Sequence, residues 1–349
     1  MLQSGPPPDA IVATLPPGVE LIFTEPVSPA GAGIKVFSPS GQQVAGPATS
    51  RGTVLSAPVS SAETGTFVVS WQVLAADTHP SRGAFRFSVG RPSPNPYSWL
   101  LAGGEIGTAT PIGYVLQALA RWVHFAGFAL AFGVVAFQAL IRRKERFNWL
   151  VGAGVILLVA AEPLALLGQL ASLSFDSDTA IAVLASGFGR LLALRLAGAL
   201  LVWALWAIQS PWPVLGVGGA VALVDGLSAH AIPGLPGAGQ MLVAVHVAAM
   251  GVWVGGLAAF LGAPDRRFGR YAAGSFGVAA VTGLLLAVAH IGLLQALMTT
   301  AYGQVLMVKV LVVGVAVTVA LLRRRRLEFG VLLAAVAAAA LLGALPPPR

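Results

Sequence analysis

From residue 112 to residue 345 the sequence consists of long apolar runs separated by short polar loops. A helix needs about 20 residues to cross a hydrocarbon core of about 30 Å. Eight runs approach or exceed this length, and the Gly-rich fourth is the weakest; they are 112–141, 148–171, 188–208, 213–231, 240–262, 271–295, 303–322 and 327–345. We therefore predict a C-terminal all-α polytopic membrane bundle of about eight transmembrane helices. A wholly water-soluble enzyme and intrinsic disorder are excluded.

The distribution of charge predicts the orientation of this bundle. Only 10% of the 349 residues are charged and the net charge is +8, whereas ordinary soluble domains carry about 25% charged residues. Lys and Arg gather in the loops at 142–146, 266–270 and 323–326, and the loops on the opposite side contain none. By the positive-inside rule the basic loops are cytoplasmic. We expect a multi-pass protein of the cytoplasmic (inner) membrane whose N-terminal region and C-terminus are extracytoplasmic, and no nucleic-acid partner.

Residues 1–92 have a different pattern, in which short segments alternate apolar and polar residues between Gly, Pro and Ser. These segments are 19–24, 33–37, 53–59, 66–74 and 84–89. Such alternation predicts an all-β, Ig-like antiparallel sandwich. Three prolines, at 92, 94 and 96, then predict a stiff linker. We divide the chain into a sandwich at 1–92, a Pro-rich linker at 93–111 and a membrane domain at 112–349.

An exported sandwich requires a leader peptide. Residues 1–6 have neither a basic region nor an apolar region, both of which a leader contains. We expect that the leader has been removed or that the start is misplaced.

Polar side chains within the apolar runs are costly in a membrane and are candidates for function. At 1.5 Å per residue from the outer helix ends, nearly all of them lie within about 15 Å of the outer surface. They are Arg121, His124, Glu162, Arg190, Arg195, Asp225, His230, His246, His290 and Lys309. We predict a polar cavity in the outer half of the bundle. The structural alternative is that the basic and acidic side chains of this set only neutralise one another.

Four histidines of this set are candidate metal ligands: His124, His230, His246 and His290. The chain has no cysteine, so a metal site would use His, Met, carboxylate or backbone groups. Met250 follows His246 by four residues and shares its helix face. Imidazole with thioether suits copper, and Cu(I) in particular. Packing of Met250 and helix–helix hydrogen bonds of the histidines remain alternatives.

The fifth histidine lies in the sandwich, where Asp77 and His79 are two residues apart. In an extended segment such residues point to the same face. A carboxylate and an imidazole on one face form half of a divalent metal site, and Asp77 and His79 are therefore metal candidates.

Segments in both parts of the chain resemble a known pair of copper proteins. The stretches 20–27, 65–71, 76–80 and 83–89 resemble the periplasmic copper-binding protein CopC. The stretches 228–231, 246–257, 302–309 and 326–328 resemble its membrane partner CopD. The resemblance covers nearly the whole chain in the expected order and implies a fused CopC–CopD protein of copper resistance and transport. It implies copper, Cu(II) at the sandwich and Cu(I) or Cu(II) in the cavity, a lipid bilayer, and periplasmic copper chaperones as partners.

The chain departs from the family at one ligand. The family holds Cu(II) through an N-terminal His with its free amine, together with an Asp and a His that Asp77 and His79 match. The N-terminal His has no counterpart, since it would lie a few residues before Met1. The sandwich as given is therefore expected to have at most a partial Cu(II) site.

Three functions remain open at the level of sequence. The first is a copper transporter that is not an enzyme, in which the sandwich delivers copper to the His and Met cavity. The second is a haem-binding b-type cytochrome or a quinone-linked redox protein, because two membrane histidines can ligate haem and the basic excess suits propionates. The third is a copper sensor or assembly factor that does not transport. No Ser–His–Asp order, Walker loop or nucleotide fingerprint indicates a hydrolytic enzyme.

Overall fold

The computed structural model describes residues 1–75, 80–102, 110–141, 147–206, 208, 210–229, 232, 235–291 and 294–345. It contains two compact units. The sandwich unit consists of Met1–Gly113 and Gly168–Arg190, and the helical unit consists of Tyr114–Leu167 and Leu191–Arg349. The boundaries proposed above at residues 92 and 111 stay a prediction.

Two four-stranded sheets form the sandwich. The strands are β1 (Gln3–Gly5), β2 (Ile11–Val12), β3 (Gly18–Ile22), β4 (Val27–Phe37), β5 (Thr49–Arg51), β6 (Val54–Pro58), β7 (Gly65–Ala75) and β8 (Pro80–Val89). One sheet has the order β1-β3-β6-β5 and the other β2-β8-β7-β4. Each of the five alternating segments overlaps an observed strand, and the all-β prediction for this part of the chain is confirmed.

Alternation along the strands places one apolar face of each sheet in a common core. In β3 and β6 every second residue is buried, including Leu21 and Leu55. The opposite sheet contributes Phe67, Trp71 and Phe87, each no more than 1% exposed. Burial of such large side chains contributes about 1.5–3 kcal/mol each and is the main stabilisation of the sandwich.

The first part of the predicted linker is fastened to the sandwich. The side-chain nitrogen of Asn95 lies 2.9–3.2 Å from the carbonyl oxygens of Phe37, Ser38 and Thr66. The ring of Tyr97 stacks on that of Phe37 with a centroid distance of 3.9 Å. Asn95 and Tyr97 therefore hold this part of the predicted linker against β4 and β7.

The rest of the described chain is helical. The helices are α1 (Pro111–Phe128), α2 (Val134–Leu140), α3 (Asn148–Ser172), α4 (Ser177–Ala185), α5 (Gly187–Trp206), α6 (Pro211–Leu227), α7 (Pro236–Gly262), α8 (Phe268–His290), α9 (Ala296–Thr299), α10 (Ala301–Leu321) and α11 (Arg325–Ala344). A π turn at Ala129–Gly133 joins α1 and α2 into one continuous helix, Pro111–Leu140. Within the described residues, seven helices are long and apolar enough to cross a membrane. The all-α membrane domain is thus confirmed, with seven such helices where about eight were predicted.

The fourth predicted span corresponds to the short helix α6. Its 17 residues reach about 26 Å, which is less than a hydrocarbon core of about 30 Å. The helix ends at Leu227, and Ser228 closes its last turn by donating its N–H to the carbonyls of Val224 and Asp225. Asp225, in the last turn of α6, contacts His124 of α1, as described below.

Glycines allow α7 to approach the π turn closely. A Cβ added at Gly255 would collide with the carbonyl oxygen of Ala129, and one at Gly133 would collide with the carbonyl oxygen of Gly251. Small residues at a crossing let two membrane helices pack backbone to backbone. This crossing aligns α7, which carries His246 and Met250, against α1 and α2.

Candidate functional site

Three of the seven predicted metal ligands, Asp77, His79 and His230, lie outside the described residues. The other four, His124, His246, Met250 and His290, are described and belong to the helical unit.

His124 is the centre of a buried polar network in α1. Its Nε2 lies 3.1 Å from a carboxylate oxygen of Asp225 on α6, and its Nδ1 lies 3.4 Å from a carboxylate oxygen of Glu162 on α3. The three side chains are between 3% and 7% exposed. Both ring nitrogens therefore lie near a carboxylate, and Nε2 is hydrogen-bonded to Asp225.

Arg195 of α5 completes the network. Its Nε donates to the second oxygen of Asp225 at 2.9 Å, and its Nη2 donates to the Ser228 hydroxyl at 2.6 Å. The Ser228 hydroxyl in turn donates to the carbonyl of Asp225 at 2.9 Å. Four helices, α1, α3, α5 and α6, are thus joined through one charged cluster. The structure places Arg195 against Asp225, which is the neutralising role considered for it above.

The charges of this network balance one another when the imidazole is protonated, since two carboxylates face one guanidinium and one imidazolium. Unpaired buried charges cost several kcal/mol each, whereas a hydrogen-bonded set repays most of that cost. These contacts fit the structural alternative, in which His124, Glu162, Arg195 and Asp225 join α1, α3, α5 and α6.

His246 on α7 has a different environment. Its Nδ1 lies 3.0 Å from the hydroxyl oxygen of Thr282 on α8. Gly283 lies beside the ring, and a Cβ at that position would come within 2.9 Å of the Cε1 atom of His246. The ammonium of Lys309 on α10 is close enough to interact electrostatically with the imidazole. His246 therefore lies at the contact of α7 with α8.

The hydrogen bonds of Thr282 favour one tautomer of His246. The Thr282 hydroxyl lies 2.7 Å from the carbonyl of Val278 and 3.2 Å from that of Ala279, and can donate to either. In that arrangement its oxygen accepts from a protonated Nδ1, and the lone pair of His246 is on Nε2. A metal-binding histidine commonly donates its other N–H to such a partner.

Met250 and His290 have packing or local partners. Met250 is half-buried and packs against the apolar core of the helical unit. The Nδ1 of His290 lies 2.9 Å from the carbonyl oxygen of Leu286 one turn earlier in α8, and its ring centroid is 6.1 Å from that of Tyr302. These contacts fit the packing alternatives, and they leave metal binding by both residues as a prediction.

Within the described part of the chain, no group of three or more His, Cys, Asp or Glu is arranged to hold a metal ion. Depth along the helices had suggested one shared cavity, but His124 and His246 contact different helices and different partners. Thr282 was not foreseen, because a single threonine in an apolar run carries little signal. The predicted common copper site of His124, His230, His246, Met250 and His290 stays a prediction.

Comparison with known families gives two matches in the chain. Residues 1–90 match the family model described as CopC domain, and residues 265–331 match the one described as copper resistance protein D. A comparison with curated proteins gave no match.

Two solved structures are similar to the N-terminal part. CopC from Methylosinus trichosporium OB3b is 28% identical, with 28% of this chain and 96% of that chain covered and a TM-score of 0.24. The copper resistance protein PcoC from Escherichia coli, in its selenomethionine form, is 26% identical, with 26% and 97% covered and a TM-score of 0.22. The predicted resemblance to CopC and CopD is confirmed by the two family matches, which support a role in copper resistance or copper handling.

Proposed function

We propose that this chain, which joins a CopC domain to a CopD-type membrane region, carries copper across the cytoplasmic membrane and is not an enzyme. The observation that carries the proposal is the presence of both family matches in one chain with seven membrane-length helices. In this account the sandwich captures copper through Asp77 and His79, and the outer half of the helical unit accepts it.

His246 is the membrane residue on which the proposal places most weight. Its Nδ1 lies beside a neutral hydroxyl, whereas both nitrogens of His124 lie near carboxylates. Met250, four residues later on the same helix, can add a thioether. His230 and His290 are the further candidate ligands of this site.

Lys309 bears on the oxidation state of the ion. Its ammonium interacts electrostatically with His246, so a copper ion on Nε2 would be repelled by a positive charge. Coulomb repulsion is proportional to the charge of the ion. This repulsion costs Cu(II), with two positive charges, more than Cu(I), with one, and we propose Cu(I) for the site.

The orientation follows from the basic loops. Those at 142–146, 266–270 and 323–326 lie on one side of the membrane only if α6 crosses together with the seven longer helices. The positive-inside rule then makes that side cytoplasmic. The sandwich and the C-terminus would be extracytoplasmic, where periplasmic copper chaperones could supply the ion.

Metal analysis and an absorption spectrum of the detergent-purified protein test this proposal. Copper in the purified protein, with no Soret band, is the expected result. A Soret band with haem in place of copper would overturn it and would favour the b-type cytochrome, for which His246 and Lys309 could serve as haem ligand and propionate partner. Bound copper without uptake into proteoliposomes would favour a sensor or assembly factor.

A further inference from the structure

The short helix α4, Ser177–Ala185, packs against strand β4 of the sandwich although it follows α3 in the chain and precedes α5. It belongs to the sandwich unit. Asp176 caps its N-terminus by accepting from the backbone N–H of Thr179 at 2.8 Å and from its hydroxyl at 3.0 Å. An Asp cap of this kind fixes where a helix begins. The helix is therefore a defined element that contacts β4.

The contact lies at an irregularity in β4. The pairing of β4 with β7 shifts between Pro29 and Ile34. Within this bulge Gly31 has a φ of +57°, and a Cβ at Gly31 would lie 2.8 Å from the hydroxyl oxygen and 3.7 Å from the Cα of Thr179. Only glycine adopts this φ without strain while leaving room for the helix. The bulge therefore provides the surface against which Thr179 packs.

The burial of side chains along α4 agrees with this contact. Thr179 and Val183, four residues apart and thus on one helix face, are 2% and 0% exposed. Ile181 and Leu184, on other faces, are 66% and 49% exposed. One face of α4 is accordingly covered.

Charge supports the same contact. Lys35 of β4 lowers the pKa of Asp176, together with the hydrogen bonds from Ser174 and Thr179, which are the larger causes. A lysine on the strand thus faces the carboxylate that caps the helix.

The bulge around Gly31 lies near one end of the sandwich. Val27 at the start of β4 pairs with Ala75 at the end of β7, and Leu74 pairs with Pro80 at the start of β8. The chain between Ala75 and Pro80 carries the Asp-Thr-His sequence. Gly31 is only four residues from Val27 along β4.

We infer that α4 is a docking helix for the sandwich, and that the bulge of β4 around Gly31 is the surface it binds. Docking through this bulge holds α4 against β4, near the strand ends at Ala75 and Pro80. The relevance of this position to copper delivery rests on the proposed function, whereas the contact itself does not.

A pair of cysteines tests the contact directly, because the chain has no cysteine of its own. The predicted Cβ position at Gly31 is close enough to Thr179 for the separation of about 3.5–4.5 Å between Cβ atoms that a disulfide needs. The full chain with Gly31→Cys and Thr179→Cys is oxidised in membranes, denatured and treated with a PEG-maleimide. We expect it to resist labelling until it is reduced.

The matched control is Gly52→Cys with Thr179→Cys. Gly52 also has a positive φ, of 60°, but no atom lies within 4 Å of its added Cβ. This pair should be labelled at both thiols without reduction. Equal labelling of the two pairs, together with rapid labelling of a single cysteine at Val183 in the chain that keeps Gly31, would overturn the docking contact, whatever copper measurements show.

A single cysteine at position 183 gives a second readout that needs no disulfide. In the docked chain Val183→Cys should react with maleimide far more slowly than Asp178→Cys on the exposed side of α4. Adding Gly31→Val to the Val183→Cys chain should accelerate labelling of its thiol, and adding Gly52→Val should not. Rapid labelling of Val183→Cys in the otherwise unchanged chain would contradict the inference.

Discussion

At the scale of single residues, the partners of a membrane histidine decide what it can do. His124 faces two carboxylates and is held in a charged cluster, whereas Nδ1 of His246 faces one threonine hydroxyl. Helix rise gives the depth of a residue from the sequence alone. The direction of its side chain around the helix depends on packing, so the sequence could not separate these two histidines.

The hydroxyl of Thr282 should orient His246 for metal binding. Thr282→Val keeps the shape but removes the acceptor of the Nδ1 proton, and loss of such a partner typically weakens metal binding by about 10–100-fold. We expect this loss in Cu(I) affinity, measured by competition with a chelator. Thr282→Ser should restore the affinity, since it restores the hydroxyl. Equal affinity in the valine variant and the original protein would remove the orienting role.

The Asp225 carboxylate should stabilise the bundle without binding copper. Asp225→Asn leaves Arg195 and His124 without their charged partner, and breaking a buried pair in this way costs about 3–5 kcal/mol. We expect a large loss of thermal stability in detergent and unchanged copper content per folded protein. Asp9→Asn is the control, because the Asp9–Arg86 pair is 69% and 55% exposed, and such pairs contribute about 0–1 kcal/mol. Loss of copper from a stable Asp225→Asn protein would instead place Asp225 in the metal site.

At the scale of elements, the strands and most helices follow from the periodicity of the sequence, because alternation and long apolar runs depend on local burial. The exceptions need tertiary contacts. The π turn at Ala129–Gly133 accompanies the close crossing with α7, and α4 is held by β4. The last turn of α6 is held by Arg195, which contacts both Asp225 and Ser228. None of these partners is visible within the segment itself.

The crossing of α7 with the π turn should tolerate no side chain at Gly255. The added Cβ of Gly255→Ala would collide with the backbone at Ala129 and Gly133, so α7 would have to move away from α1. We expect a lower melting temperature in detergent or a failure to fold. Size-exclusion chromatography in detergent monitors the folded fraction. Gly274→Ala in α8, with no atom within 4 Å of the new Cβ, should be neutral or stabilising by up to about 1 kcal/mol. A normal Gly255→Ala protein would argue against the close crossing.

The cap of α4 should weaken in acid. The pKa of Asp176 is lowered from its ordinary value of 3.8, mainly by the hydrogen bond from Ser174 and then by that from the Thr179 backbone. A carboxyl with a lowered pKa stabilises the folded state fully above its ordinary value, and the stabilisation is lost as the pH falls through the folded value.

We therefore expect labelling of Val183→Cys, with a pH-independent thiol reagent, to be constant from neutral pH to about pH 5 and to rise below about pH 4. Asp176→Asn should remove this rise. A rise that begins near neutral pH would point to a different titrating group.

At the scale of the whole molecule, the order of a β-sandwich and a helical region was predictable, since composition changes sharply near residue 100. The two family matches confirm the resemblance on which the copper function was expected. The copper site itself is less predictable, because ligand geometry depends on several helices. Asp77, His79 and His230 also lie outside the described residues. Copper transport through a site centred on His246 is the central claim.

Copper uptake into proteoliposomes tests that claim most directly. The purified protein is reconstituted as the original chain, as His246→Ala and as Gly274→Ala, and entry of Cu(I) is followed with an enclosed fluorescent chelator. The account predicts uptake above protein-free vesicles for the original chain and for Gly274→Ala, and none for a folded His246→Ala protein. Uptake by His246→Ala at the rate of the original chain, or no uptake by any folded form, would contradict it.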